Sequence, residues 1–320
     1  MNEPVSIRKG IVLMLLSVVF FSVNCLIIRW VGLFASVDGW MSSFTRGLAG
    51  TIFVIAVYSR GRGLHLSHLR KPMIILRGFL GVTTITMLYF TLIHLGAGRA
   101  MVINLTYPLF GAIIAALVLK EKPHPATLGL LILAMIGLGL FFSESLQNAT
   151  FGGYDLLGLA GAVLAGATVV VIRKLTQTET APTIYSGQCI ITLLVTTPLA
   201  MPSFGETTPF IWFLLMLGGG IVAYGQILIT KGFYHLDVAQ GSAIQMLIPV
   251  LTGAGGFVLF SESFSIIEII GAILTLFATW RITIAPRAVL ATSAPDVAIP
   301  QDTTKESCGT TIPPKKTPIR

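Results

Sequence analysis

Asn104 and Gln245 each place a carboxamide, able both to donate and to accept hydrogen bonds, inside a long apolar run. They coincide when the stretch beginning at His94 is laid on the stretch beginning at His235, an ungapped offset of 141 residues. The same register sets Leu95 on Leu236, Ile103 on Ile244, Pro108 on Pro249 and Glu121 on Glu262. Agreement of rare residue types, where chance would mostly align Leu with Ile, indicates a duplication. Paired amides at matched depth suit a zwitterionic or heterocyclic solute, or else they stitch neighbouring helices together. Asn24 falls on Thr168 at an offset of 144 and has the same two readings. Tyr107 and Tyr224 add an aromatic face and a hydroxyl to a solute path, whereas Tyr89 reads more simply as an interface anchor. Pro108 and Pro249 each remove a backbone donor and free a carbonyl one turn earlier, which makes a hinge, a backbone ligand site or a simple kink.

Two arginines lie well inside apolar runs. Arg77 could grip a carboxylate or phosphate, or extend its head to the nearby membrane surface. Arg46 is expected to pair with Asp38 or Glu268 instead. Neither arginine has a counterpart in the second half, where the aligned residues are Gly187 and Gly218. No Asp or Glu falls at mid-depth in any apolar run, so a proton relay built on a buried carboxylate has no residue to use. His94 and His235 stand near helix ends and read as structural. No phosphate-cradling loop, metal-spaced His/Cys cluster or cofactor motif is found, and Cys25, Cys189 and Cys308 make no disulfide framework.

The elements that carry these residues follow from composition. With 54% hydrophobic and 11% charged residues over 320 positions, and a mean hydropathy of +0.86, the chain has too little polar surface for a water-soluble globule. The net charge of +8 reflects basic residues at the ends of apolar runs, not a nucleic-acid surface. A membrane-crossing helix needs about 20 apolar residues. Ten such runs are predicted, at 10–31, 38–58, 72–93, 99–119, 126–143, 154–173, 183–201, 209–231, 238–260 and 264–284. Within the fifth, Leu131 reads as lipid-facing. Five spans per copy is an odd number, so the second copy is inverted relative to the first. The fold class is therefore an all-α membrane protein of ten transmembrane helices in two inverted five-helix repeats.

The domains expected are a cytoplasmic N-terminus at 1–9, a first repeat at 10–143, a second at 154–284 and a disordered cytoplasmic tail at 285–320. Arg8, Lys9, Arg60, Arg62, Arg70, Lys71, Lys120, Lys122, Arg173, Lys174 and Lys231 then all fall on one side, against Arg29 and Arg99 on the other. By the positive-inside rule the first side is cytoplasmic, as are both termini. The sequon at Asn148 lies in the external loop between the halves.

IIRW at 27–30, VIRK at 171–174, SFTRG at 43–47, LRGFLG at 76–81 and the doubled Pro-then-Glu spacing resemble the EamA-type members of the drug/metabolite transporter superfamily. The resemblance spans about 10–284. It implies a central cavity lined mainly by spans 1, 3, 4, 6, 8 and 9, and movement of amino acids, nucleotide-like metabolites, vitamins or drugs. With the residues above it gives a substrate-binding set of Asn24, Arg77, Asn104, Tyr107, Thr168, Tyr224 and Gln245, with Pro108 and Pro249 as hinges.

The expected function is a secondary carrier of the inner or plasma membrane for a small polar or amphipathic, amino-acid-like metabolite. It would export by rocking two repeats about a midplane cavity. Import of a vitamin or nucleoside-like cofactor, of S-adenosylmethionine or riboflavin type, is the alternative on the same scaffold. A membrane-embedded acyl or lipid transferase and a non-transporting receptor or assembly factor are the rivals of other classes. The transferase lacks a clustered base, nucleophile or metal site. The expected partners are a small-molecule substrate and the lipid bilayer, with no nucleic acid; a homodimer stays open.

Overall fold

The computed structural model describes residues 5–35, 37–59, 64–121, 123–146, 151–205, 207–261 and 264–284. Asn148 and the C-terminal segment lie outside the described residues.

Among the described residues the regular structure is helical: α1 Ile7–Phe34, α2 Gly39–Tyr58, α3 Pro72–Leu95, α4 Ala97–Asn104, α5 Tyr107–Val118, α6 Pro125–Phe141, α7 Ser143–Leu146, α8 Gly153–Leu175, α9 Ala181–Ala200, α10 Pro209–His235, α11 Val238–Gln245, α12 Leu247–Phe260 and α13 Ile266–Ile284, with two short 3₁₀ turns. Nine spans are long and apolar enough to cross a bilayer, and α6 is a shorter tenth. Helix starts are fixed locally. Asp38 accepts from the Trp40 N–H at 3.2 Å and Asp237 from the Gln240 N–H at 2.7 Å, satisfying amides that the first turn leaves open. Pro125, Pro182 and Pro209 occupy first-turn positions, where no N–H is needed.

Two predicted spans are each broken in two. Span 4 is α4 followed by α5, and span 9 is α11 followed by α12. The breaks come just before Pro108 and Pro249, and the acceptor each proline orphans is the carbonyl four residues earlier, that of Asn104 and of Gln245.

Packing carries the duplication into three dimensions. α1 packs on α10 and α3 on α8; α2 packs on α10 and α3 on α9; α5 packs on α8 and α1 on α12; α4 packs on α8 and α1 on α11. Exchanging the two halves converts each contact in these pairs into the other. Two further large contacts, α2 with α9 and α6 with α13, map onto themselves, whereas the contact of α5 with α11 has no α4–α12 counterpart of similar extent. Between α6 and α13 Gly137 and Gly271 let the backbones meet: a Cβ on Gly271 would lie 2.5 Å from the Gly137 carbonyl oxygen.

The outer surface is apolar, with Leu117 77%, Val258 75% and Leu194 72% exposed, as hydrocarbon surroundings require. Leu131 is not on that surface. It is fully buried with Leu138, Ala243, Ala278 and Ile282, because α6 turns this face to α13 and α11. Its expected lipid-facing position is corrected accordingly.

Candidate functional site

Asn104 and Gln245 are the terminal residues of α4 and α11, half-helices of eight residues each. At about 1.5 Å per residue each carboxamide lies about 12 Å in from the start of its half-helix, close to the middle of a hydrocarbon core about 30 Å thick. The two sites differ in detail. Gln245 is buried, and its Nε2 donates to the Ser17 hydroxyl on α1 at 2.7 Å. Asn104 is half-buried, and its carboxamide makes no hydrogen bond to the described residues. The break beyond it is tightened by 3₁₀-type bonds, Thr106 N–H to the Ile103 carbonyl at 3.2 Å and the Thr106 hydroxyl to the same oxygen at 2.7 Å. Beyond the other break the Ile248 carbonyl accepts from Ser22 of α1 at 3.2 Å.

Other residues read from the sequence are placed as follows. Asn24, on α1, lies against α10 at Gly218, where a Cβ would sit 2.9 Å from its Oδ1. Thr168 returns its hydroxyl to the Leu164 carbonyl of its own helix at 2.8 Å. Tyr107 opens α5 and packs into both apolar clusters around the breaks, beside Ser242 of α11. Tyr224 is elsewhere: it is 40% exposed and stands edge-on to Phe20 at 4.9 Å and Phe53 at 6.1 Å. Asn104, Tyr107 and Gln245 thus each stand at a helix break, with Pro108 and Pro249 beside them, and Tyr224 belongs to an aromatic group between α1 and α2.

Sequence reasoning missed two arginine–glutamine pairs. Arg77 is 3% exposed and does not reach for the membrane surface; its Nη2 donates to Gln188 Oε1 on α9 at 2.7 Å. Its Nε and Nη1 are buried without a hydrogen-bond partner among the described residues. Arg46 donates to Gln226 Oε1 on α10 at 3.3 Å, and its guanidinium lies 5.8 Å from the Phe21 ring centroid. The expected pairing of Arg46 with Asp38 or Glu268 is thus corrected: Asp38 caps α2 and Glu268 bonds to Ser265. A usable signal was present, since Gln188 and Gln226 are uncharged but polar residues deep inside apolar runs.

The two ends of the bundle differ. All eight residues of α11 are buried, while of the side chains described in α4 only Ala100 is. Met14, Val18, Val169, Ile172, Phe233 and Val238 fill the end where α11 begins. That end is also tied by charge. Arg173 Nε donates to Glu121 Oε1 at 3.1 Å, Arg173 Nη1 donates to the Phe233 and Tyr234 carbonyls at 2.7 and 2.9 Å, and Glu121 Oε2 accepts from the Val238 N–H at 3.1 Å. On the same rim Glu179 is buried between Lys71 and His68. Burial raises the affinity of its carboxyl for a proton, but those two neighbours outweigh burial and hold it below the usual carboxylate range. The opposite rim carries an ion pair between Arg99 and Asp155. Among the described residues no group of His, Cys, Asp and Glu is arranged to hold a metal ion.

An apolar bundle of two equivalent halves, with broken helices meeting at the centre, defines a multi-pass membrane carrier. The chain belongs to the EamA-like transporter family, whose model matches residues 8–143 and 153–284. Membership places it among carriers and not enzymes, which sets aside the transferase reading. It is 26% identical over 274 residues to the pseudopaline exporter CntI of Pseudomonas aeruginosa, covering 85% of this chain and 95% of the relative. It is 25% identical over 276 residues to human solute carrier family 35 member G1, covering 78% of this chain and 73% of that one. A solved crystal structure with 17% identity superposes with a TM-score of 0.71 over 87% of this chain and 96% of the other, a likeness of fold.

Proposed function

We propose that this protein is a secondary carrier of an inner or plasma membrane that exports a small polar or amphipathic, amino-acid-like metabolite, with both termini cytoplasmic. The observation that carries this reading is the pair of helix breaks at equivalent depth, each closed by a carboxamide and each releasing a backbone carbonyl. Free amides and carbonyls at mid-membrane are supported by protein only where they face a solute path or one another. Export is supported by the Pseudomonas aeruginosa relative, a pseudopaline exporter. Rocking of the halves is supported by their exchangeable packing and by the closure of one end alone.

The test is metabolite profiling inside and outside cells with and without the protein, followed by uptake of the leading solute into proteoliposomes. A solute that accumulates outside only when the protein is present, and crosses the reconstituted bilayer, is the expected result. No redistribution and no flux of any solute would overturn the reading.

A further inference from the structure

We propose that Arg77 and Arg46 form an oxyanion site, so that the transported solute carries a carboxylate or phosphate which supplies the counter-charge these arginines lack. The proposal rests on the carrier reading above and names its substrate class.

The two arginines have a shared architecture. Arg46 on α2 reaches Gln226 on α10, and Arg77 on α3 reaches Gln188 on α9. Exchange of the repeats converts the α2–α10 contact into the α9–α3 contact, so the two pairs bridge equivalent helix contacts, although the register sets Gln226 on Ile85, eight residues along α3 from Arg77. Both cations come from the first repeat and both amides from the second. A solute held there is gripped by both moving halves.

Charge decides what such a site binds. A glutamine oxygen orients a guanidinium but leaves its charge uncompensated. Every acid among the described residues is engaged or placed elsewhere. Asp38 and Asp237 cap helices, Asp155 pairs with Arg99, Glu121 with Arg173, Glu179 with Lys71 and His68, Glu268 with Ser265, and Glu144 is exposed in α7. Arg46, partly buried on α2, is an electrostatic neighbour of the buried Arg77 and adds to the cost of its burial. A buried cation beside a second like charge persists in a membrane interior where an opposite charge arrives with a ligand.

The local geometry leaves donors for that ligand. Two nitrogens of Arg77 are buried without a hydrogen-bond partner among the described residues, and the Tyr185 hydroxyl, beside the Cys189 thiol, lies within the field of both arginines. Gly81 makes room for the guanidinium, since a Cβ there would lie 2.6 Å from Arg77 Nη1. Charge-assisted bonds from arginine to an acid oxygen are the strong kind, and they discriminate an acid from its amide.

The decisive variant is Gln188→Glu. It keeps the side-chain length and the contact to Arg77 but neutralises the guanidinium from within the protein. A structural arginine tolerates or gains from this change, whereas an oxyanion site is blocked by it. The experiment has two measurements. Export of the solute found by profiling is compared at equal membrane expression for the wild type, Gln188→Glu, Arg77→Gln and Arg77→Lys. Thermal stability of the purified chain is then read with sodium glutamate, citrate and phosphate against sodium chloride of equal ionic strength, with glutamine as the neutral match to glutamate.

The expected result is a solute bearing an acid group, with export at least about tenfold lower in Gln188→Glu and in Arg77→Gln and partly kept in Arg77→Lys. An oxyanion, but not glutamine, should stabilise the wild type, and Gln188→Glu should lose that gain; the effective salt separates carboxylate from phosphate. Wild-type export by Gln188→Glu, export of a neutral or cationic solute, or no stabilisation by any oxyanion overturns the site and leaves the carrier standing. Absence of flux for every solute overturns the carrier reading itself.

Discussion

Arg173 and Glu121 meet at 3.1 Å across the seam between α8 and the end of α5, and each also bonds to backbone at the corner joining α10 to α11. One ion pair thus fastens helices from both repeats over the plugged end of the bundle. The repeat equivalent of Arg173, Arg29, belongs to the opposite end; that of Glu121, Glu262, lies outside the described residues.

Loss of this fastening should favour opening at that end. In a background lacking Cys308, Val238→Cys is expected to react slowly with a maleimide, because Val238 is fully buried. Adding Arg173→Ala should speed labelling on the order of fivefold, from about 1 kcal/mol of lost bonding in a half-buried pair. Exchanging the two charges should not restore slow labelling, since a Glu at 173 cannot donate to the carbonyls of Phe233 and Tyr234. Unchanged labelling in Arg173→Ala would show that apolar packing alone closes this end.

Asn104 and Gln245 should both matter for substrate affinity. Replacing either by Ala leaves a solute polar group unpaired, costing about 1–3 kcal/mol, or roughly 5- to 150-fold in affinity. Leu117→Ala is the proper control because Leu117 is 77% exposed on the outer surface. Gln245→Ala should in addition lower thermal stability, since it breaks the bond to Ser17, while Asn104→Ala should not. Normal affinity in both variants would assign the amides to helix packing.

Stability should fall in acid through Glu179. Its carboxyl is held below the ordinary value of 4.5 in the folded protein by Lys71 and His68 against the opposing effect of burial. A depressed folded value means that the stabilisation is fully present above the unfolded value and is lost as pH falls through the folded one. Melting temperatures from pH 7 downward should therefore show Glu179→Gln less stable than the wild type at neutral pH, with the two curves converging below pH 4.5. Parallel curves would place the acid sensitivity elsewhere.

Transport should persist without a pH gradient, because every described acid sits at a helix end or in a connection. In proteoliposomes with a saturating solute gradient, collapsing the proton gradient is expected to leave most of the flux. Loss of flux would point to a relay through groups such as His94 or His235.

The orientation is open to a direct check. Reporter fusions after residues 66, 122, 177 and 233 should report cytoplasm, and those near 36, 148 and 205 the outside, given the basic bias of the short connections. An external signal at 122 would defeat the assignment.

The apolar runs, the repeat and the two helix-weakening prolines were legible in the sequence, because each has a local cause. About 20 apolar residues make a span whatever surrounds them, and a proline removes a bond from its own helix. Thus Pro108 and Pro249 marked weakened turns in spans 4 and 9, while the sequence left open whether each was a hinge, a ligand site or a simple kink. The rotation of each helix about its axis could not. A span such as α6 is apolar on every side, and lipid is as good a solvent for leucine as the protein interior, so sequence carries no inside and outside for it. Leu131 turned inward and Tyr224 turned toward Phe20 and Phe53 for that reason. The same indifference hid the pairing of Arg46 with Gln226 and Arg77 with Gln188, which join residues 180 and 111 positions apart. A buried cation announces in the sequence that it needs a partner; only the packing of one repeat against the other decided which amides orient these two, and that no described carboxylate neutralises them.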